Sequence, residues 1–307
     1  MLIAVPDLVT NSYFPALAAE ELGFYRTEGV DAHVELLAPA LGAMAALRDG
    51  RVQGVVTGVH TTLTAFPGWK GAKVAVAVAQ GTPWLLVLRA DRPAARGDVQ
   101  AVKGLHIGAA PGPDAALKRL LVDSGIDADR DHVQIVRVPG TEQPGTSFGV
   151  LAAAALESGQ IDGFWANALG SETAVRRGVG KIVVDVRRGD GPPAAGHYTF
   201  SALIVTEALI ERSFEQVAAA VRAIVKAQRT LRANPARATE VGQRRFPAAA
   251  SEMIAALVER DLPFYDPTVH EEAVRATNEF SRALGLLSEP VAYGQVVDVR
   301  FRPLWTR

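Results

Sequence analysis

Ten short apolar runs, many of them separated by helical patterns that stop at glycine, constrain this chain more than any other feature. The runs fall at 2–6, 33–37, 54–57, 73–79, 84–89, 105–109, 132–138, 161–165, 181–185 and 199–205. Helical patterns at 15–22, 41–49, 113–124 and 147–158 stop at Gly23, Gly50, Gly125 and Gly159. Glycine takes the left-handed backbone that closes a helix without a Cβ penalty. Strands apolar throughout are buried on both faces, and strands alternating with helices tend to pair in parallel. The spacing therefore predicts α/β layers with mainly parallel sheets.

After residue 205 the pattern becomes helical. Ser213 and Gln216 have capping-box spacing. Phe214, Val217, Val221, Ile224, Val225 and Leu231 then recur at helical intervals, and Asn234-Pro235 ends that helix. Asp266-Pro267 is expected to open another, with Val274, Phe280 and Leu284 inward.

The chain also echoes itself. Residues 46–57 and 155–166 each read as a helix end, a Gly turn, an apolar anchor, a second Gly and a strand. Two such units predict two Rossmann-like α/β lobes of like topology. Ligands of open α/β sheets sit beyond the carboxyl ends of strands. The equivalent ends here are Thr57-Gly58-Val59-His60 and Trp165-Ala166-Asn167. In a two-lobed protein these segments are expected to face each other across a cleft.

Charge and composition exclude other classes. Lys plus Arg number 32 against 33 Asp plus Glu, a net charge of −1, so no electrostatic case exists for nucleic acid or an anionic membrane surface. There is no cysteine, which removes disulfides, Cys-ligated metals and a Cys nucleophile. No apolar run approaches the roughly 18 residues that span a bilayer, so the chain is not expected to be membrane-spanning itself. Met1 leads straight into the first strand, with no basic segment before an apolar one. The expectation is a periplasmic protein if a leader has been removed or omitted, and a cytoplasmic one otherwise.

Five segments, in order, resemble the type II periplasmic-binding-protein fold, in the nitrate/sulfonate/taurine branch that includes NMT1/THI5-like proteins. Residues 15–30, Pro-Ala-Leu-Ala-Ala-Glu-Glu-Leu-Gly-Phe-Tyr-Arg-Thr-Glu-Gly-Val, are similar to that family's A-x-E-x-G-F-F-x-x-E-G-L segment. The others are Ala-Leu-x-x-Gly-x-Val-x-Gly at 46–54, Val-Lys-Gly-Leu-His-Ile-Gly at 102–108, Gly-Gln-Ile-Asp-Gly at 159–163, and the helix ending at Asn234-Pro235. The resemblance covers nearly the whole chain and specifies the fold more than the ligand. It implies a discontinuous first lobe, 1–87 with 200–307, and a second lobe, 88–199. It also implies a hinge of two crossover strands near 86–89 and 195–200, closing on a small-molecule ligand. The implied role is the solute-binding component of an ABC-type importer, with an ABC permease as partner and no cofactor.

Candidate ligand contacts follow the strand ends, and each has a structural alternative. Asn11 and Tyr13 follow the first strand, although Asn11 or Ser12 also suits a helix cap. His60 offers an imidazole to an anion or a proton, although a lone His is usually structural. Gln80 and Gly81 offer an amide and close backbone approach, or a plain turn. Gly112 opens a helix whose amides favour an anion, but Pro111 and Pro113 remove donors and Asp114 repels one. Thr146 is as well read as a helix cap. Trp165 is an aromatic wall or core. Asn167 is a solute hydrogen-bond partner, and His197 and Tyr198 fall at the second crossover.

Catalytic signatures are missing: no Ser/His/Asp order, HExxH, dinucleotide fingerprint or metal-spaced histidines. A non-catalytic binder of an organic acid or heterocycle leads. The rival is a cytosolic enzyme on the same fold, similar to aromatic-acid decarboxylases or lyases, with His60 as proton carrier and His197 and Asp114 as further candidates. A thiamine-pyrimidine synthase is disfavoured, because that family uses a cysteine-rich iron motif. A sensor-linked binding module is a third class.

Overall fold

The computed structural model describes residues 1–8, 10–141, 147–246 and 248–306. Ten strands lie where the apolar runs fall: β1 (Leu2–Val5), β2 (His33–Leu36), β3 (Gly54–Gly58), β4 (Ala72–Ala79), β5 (Leu85–Arg89), β6 (His106–Ala109), β7 (Gln134–Val136), β8 (Gly163–Ala166), β9 (Gly180–Asp185) and β10 (Ser201–Thr206). Contacts divide the chain into two compact units, Met1–Gly81 with Thr199–Arg307, and Thr82–Tyr198.

The first unit holds a sheet ordered β2-β1-β3-β10-β4. β1 runs parallel to β2 and β3, while β10 is antiparallel to both β3 and β4. The second holds β7-β6-β8-β5-β9, with β6 parallel to β7 and β8, and β5 antiparallel to β8 and β9. The two orders are equivalent. In each, the third parallel strand (β3 or β8) abuts one antiparallel strand, the first strand formed after the chain enters that unit. The echo at 46–57 and 155–166 marks this shared slot.

The chain crosses between units at 81/82 and 198/199, whereas the family resemblance implies a first break after residue 87. Residues 86–89, expected as a hinge strand, belong to β5. That strand pairs on both sides within the second sheet, which anchors it to one unit.

In the first unit the helices Phe14–Glu21 and Phe214–Ala233 pack together. Val217, Val221, Ile224, Val225 and Leu231 are buried at the predicted spacing. The Ser213–Gln216 capping box does not form. Ser213 instead closes the preceding helix Glu207–Arg212, its N–H donating to Leu209 O at 2.8 Å. Asp266-Pro267 does not open a helix either: the next helix is Glu271–Ala283. Its approach covers the outer edge of β4, where Ala77 N–H donates to Pro267 O at 3.1 Å. Gln228 Nε2 donates to Ala77 O and Val78 O at 3.1 and 2.9 Å, and Trp305 Nε1 to Ala75 O at 3.0 Å. An open strand edge invites pairing with another chain, and here the C-terminal segments occupy it.

In the second unit the helices Phe148–Glu157 and Ala168–Arg176 pack on each other. A core cluster that includes Phe164, Val87, Val138 and Ile161 lies with them. They touch through backbone: a Cβ on Gly170 would lie 2.4 Å from Gly149 Cα. Gly170→Ala is expected to destabilise the protein by about 2–3 kcal/mol, since overpacking forces backbone shifts. Urea unfolding followed by circular dichroism measures this, and an unchanged midpoint would show that the helices separate freely.

Candidate functional site

In the first unit β1, β3 and β4 run the same way, so their carboxyl ends lie along one side of the sheet, the ligand side of an open α/β layer. The chain leaves β1 through Asn11, which is buried at 2 % exposure. It does not cap the following helix. Its Nδ2 donates to the buried Asp261 carboxylate, and its carbonyl accepts from Tyr265 Oη at 2.7 Å. Asn11 thereby ties the β1 loop to the end of the helix Ala248–Asp261. Tyr13, also buried, precedes the helix Phe14–Glu21 and makes no side-chain cap bond.

Gln80 also acts as a clamp. Its Nε2 donates to Asp266 O and Thr268 O at 2.9 and 2.8 Å, which uses both amide hydrogens. Gly81 follows with φ +70°, a left-handed conformation that a side chain would strain.

His60 lies in the turn Val59–Thr64 beyond β3 and is only 3 % exposed. Its Nδ1 is 3.0 Å from Thr199 Oγ1, and its ring meets Phe280 edge-on with centroids 5.5 Å apart. The imidazole folds back over Gly58, where a Cβ would come within 3.2 Å of His60 Cε1. Burial lowers the His60 pKa from 6.5 to about 4, because the charged form loses its hydration. At neutral pH the ring is uncharged.

Four hydroxyls on the elements next to this imidazole have no protein hydrogen-bond partner among the described residues. They belong to Thr62 in the same turn, Ser201 at the start of β10, and Thr277 and Ser281 on the helix Glu271–Ala283. All four residues are buried. Ser201 pairs with Gly58 across β10 and β3, so its side chain shares the sheet face over which His60 folds. Thr277, Phe280 and Ser281 form one helix stripe, and Phe280 touches His60. Thr57 is likewise unpartnered and sits opposite Ala202, so it points to the other face of β3. A dry, unpaired hydroxyl costs about 1–3 kcal/mol. Four together rival the roughly 5–15 kcal/mol net stability of a folded protein.

In the second unit the parallel strands β6, β8 and β9 end along one side of their sheet. Gly112 (φ +99°) precedes the helix Pro113–Asp123, and its N–H donates to Asp114 Oδ1 at 2.9 Å. Lys118 holds the other oxygen of that carboxylate at 2.8 Å. The helix start thus receives its anion from its own chain. Trp165 is fully buried against Trp84, with centroids 6.2 Å apart. Its indole N–H has no partner among the described residues. Asn167 caps the helix Ala168–Arg176, accepting from Gly170 N–H at 3.3 Å.

Tyr198 is buried and its hydroxyl donates to Asp123, which also pairs with Arg119. Burial, then the Asp123 carboxylate, pushes the phenol far above its usual range. His197 is exposed at the end of a short 3₁₀ turn, Pro193–His197. Thr146 lies outside the described residues.

Arg187 was not singled out in the sequence. It stands two residues beyond β9 at 9 % exposure, the one Lys or Arg among the described residues that is buried. Its signal was the run Val-Asp-Val-Arg-Arg at 184–188: charge immediately after a buried strand, at a ligand end.

A family model described as NMT1/THI5 like matches residues 10–238. No curated protein matches the sequence. Solved structures do. A protein from Bordetella bronchiseptica RB50 has 20 % identity and a TM-score of 0.76, covering 99 % of this chain and 96 % of its own. A Methylobacillus flagellatus KT protein, described as the periplasmic sulfonate-binding protein SsuA and assigned to a sulfonate ABC transporter, has 19 % identity and a TM-score of 0.69, covering 99 % and 92 %. The desulfurization enzyme DSZB has 18 % identity and a TM-score of 0.68, covering 100 % and 99 %. At such identities the likeness is one of fold: two α/β lobes of the periplasmic-binding-protein kind.

The buried imidazole makes stability pH-dependent. Above about pH 6.5 His60 is neutral in both folded and unfolded chains and contributes no slope. As pH falls from 6.5 toward about 4, the unfolded chain takes the proton first and stability declines, by about 3 kcal/mol in all. His60→Gln is expected to remove this part of the decline. Urea unfolding at pH 7.5, 6 and 5 checks it: equal slopes in both proteins would mean that His60 takes up its proton without unfolding cost.

Proposed function

We propose, from the premise that the chain belongs to the NMT1/THI5-like family, that it is a non-catalytic solute-binding protein for a small organic acid. Each unit offers candidate ligand contacts of its own at its strand ends, Tyr13 and His60 in the first and Arg187 in the second, and an ABC permease in the membrane receives the solute. The sulfonate-binding relative on the same fold supports the role. Arg187 carries the reading toward an acid. A guanidinium's planar fork matches carboxylate and sulfonate oxygens in pairs. A buried arginine at the carboxyl end of a strand is placed for such a group.

Calorimetric titration with ethanesulfonate, propanoate and benzoate tests this. At least one is expected to bind with micromolar or tighter affinity and to raise the Tm. Arg187→Met keeps the bulk and removes the charge, and is expected to weaken binding at least tenfold. Equal affinity in the variant would remove Arg187 from the site.

A second reading is supported by the desulfurization enzyme, whose similarity spans this whole chain. In it the neutral His60 accepts or carries a proton during cleavage of the acid group. A pKa near 4 makes His60 a weak base at neutral pH, which favours binding over catalysis. Conversion of the bound acid to a new product by the wild-type protein, abolished in His60→Gln, would establish the enzyme instead.

A further inference from the structure

We infer that the hydroxyls of Thr62, Ser201, Thr277 and Ser281 line a subsite beneath His60 that takes an uncharged hydrogen-bonding group of the solute, such as a hydroxyl, amide or ring N–H. The inference rests on the proposed solute-binding role and narrows its substrate class to hydroxylated or amide-bearing acids.

Three elements carry the groups, two of them packed on the turn that bears His60. The 3₁₀ turn Val59–Thr64 supplies Thr62 and His60, β10 supplies Ser201, and one face of the helix Glu271–Ala283 supplies Thr277 and Ser281. That helix packs on the turn, and Phe280 sets its edge against the imidazole. The four hydroxyls are buried and none has a protein partner among the described residues. Buried polar groups are nearly always satisfied, so a set of this size calls for a polar occupant.

The chemistry selects the occupant. Each hydroxyl both donates and accepts. No Lys, Arg, Asp or Glu belongs to the group, so a full charge placed there would find no counter-charge within it. An uncharged group with both donor and acceptor capacity matches. The position, past the carboxyl end of β3, is where an open α/β sheet receives ligands. Internal water is the competing occupant, and the variants below distinguish the two.

The test compares matched pairs by calorimetry: ethanesulfonate with isethionate, propanoate with 3-hydroxypropanoate, benzoate with 4-hydroxybenzoate. Phenol and uracil serve as uncharged probes. Wild-type protein is expected to prefer the hydroxylated member of at least one pair tenfold or more. The double variant Thr277→Val with Ser281→Ala should erase that preference, leave affinity for the plain acid unchanged, and keep or raise the Tm. Equal affinities within every pair overturn the subsite and leave the solute-binding role standing. A lower Tm with an unchanged preference shows structural water and also overturns it. Uncharged probes that bind without any acid binding, and lose affinity in the variant, support the subsite and overturn the organic-acid reading. Failure of every acid and every uncharged probe overturns both.

Discussion

The pairing of β10 on both its sides governs the first unit. Ser201 sits opposite Gly58 of β3 and Ala79 of β4, so the strand that re-enters this unit closes its sheet between two parallel partners. This pairing brings Thr199 to the imidazole of His60 and places Ser201 on the same face. Gly58 completes the arrangement by having no Cβ to stop the ring folding back. A side chain at 58 would crowd the folded-back ring, and a one-residue slip in β10 would send the Ser201 hydroxyl to the opposite face. The site depends on strand register before it depends on any reactive group.

The second unit repeats the device with β5 as the inserted strand, yet its strand ends are chemically different. Asn167 and Asp114 satisfy backbone amides of their own helices, and Trp165 fills the core. What distinguishes this unit is the buried Arg187. Equivalent topology therefore supports unlike chemistry, a neutral hydrogen-bonding set in one unit and a guanidinium in the other, as expected where function lies in sites grafted on a fold.

The sequence made the ten strands, the glycine-ended helices and the paired topology legible because each depends on local patterns: apolar runs, left-handed glycines and a twelve-residue echo. The roles of individual polar residues were less legible because they depend on distant partners. Asn11 reads as a helix cap until Asp261, 250 residues away, claims its amide. Gln80 reads as a ligand contact until the carbonyls of 266 and 268 take both its hydrogens. The hydroxyls of Thr277 and Ser281 carry no signal in sequence, being ordinary polar residues in an amphipathic helix. Ser213 shows the converse: capping-box spacing was present, but the residue was already committed to closing the previous helix.

Charge decides how these features bear on ligand choice. An anion binder needs compensation at its deepest point, and His60 does not provide it at neutral pH, since burial keeps the ring uncharged. Arg187 provides a permanent charge, because a guanidinium stays protonated throughout the physiological range. The two buried bases, one in each unit, thus differ in charge at neutral pH. Arginine is suited to the acid group of a solute at every working pH, while histidine and its surrounding hydroxyls suit a group that brings no charge. A sulfonate or nitrate recognised only through its oxyanion makes no use of the second set. The unsatisfied hydroxyls of the first unit therefore call for a neutral hydrogen-bonding partner there, whatever occupies the second unit.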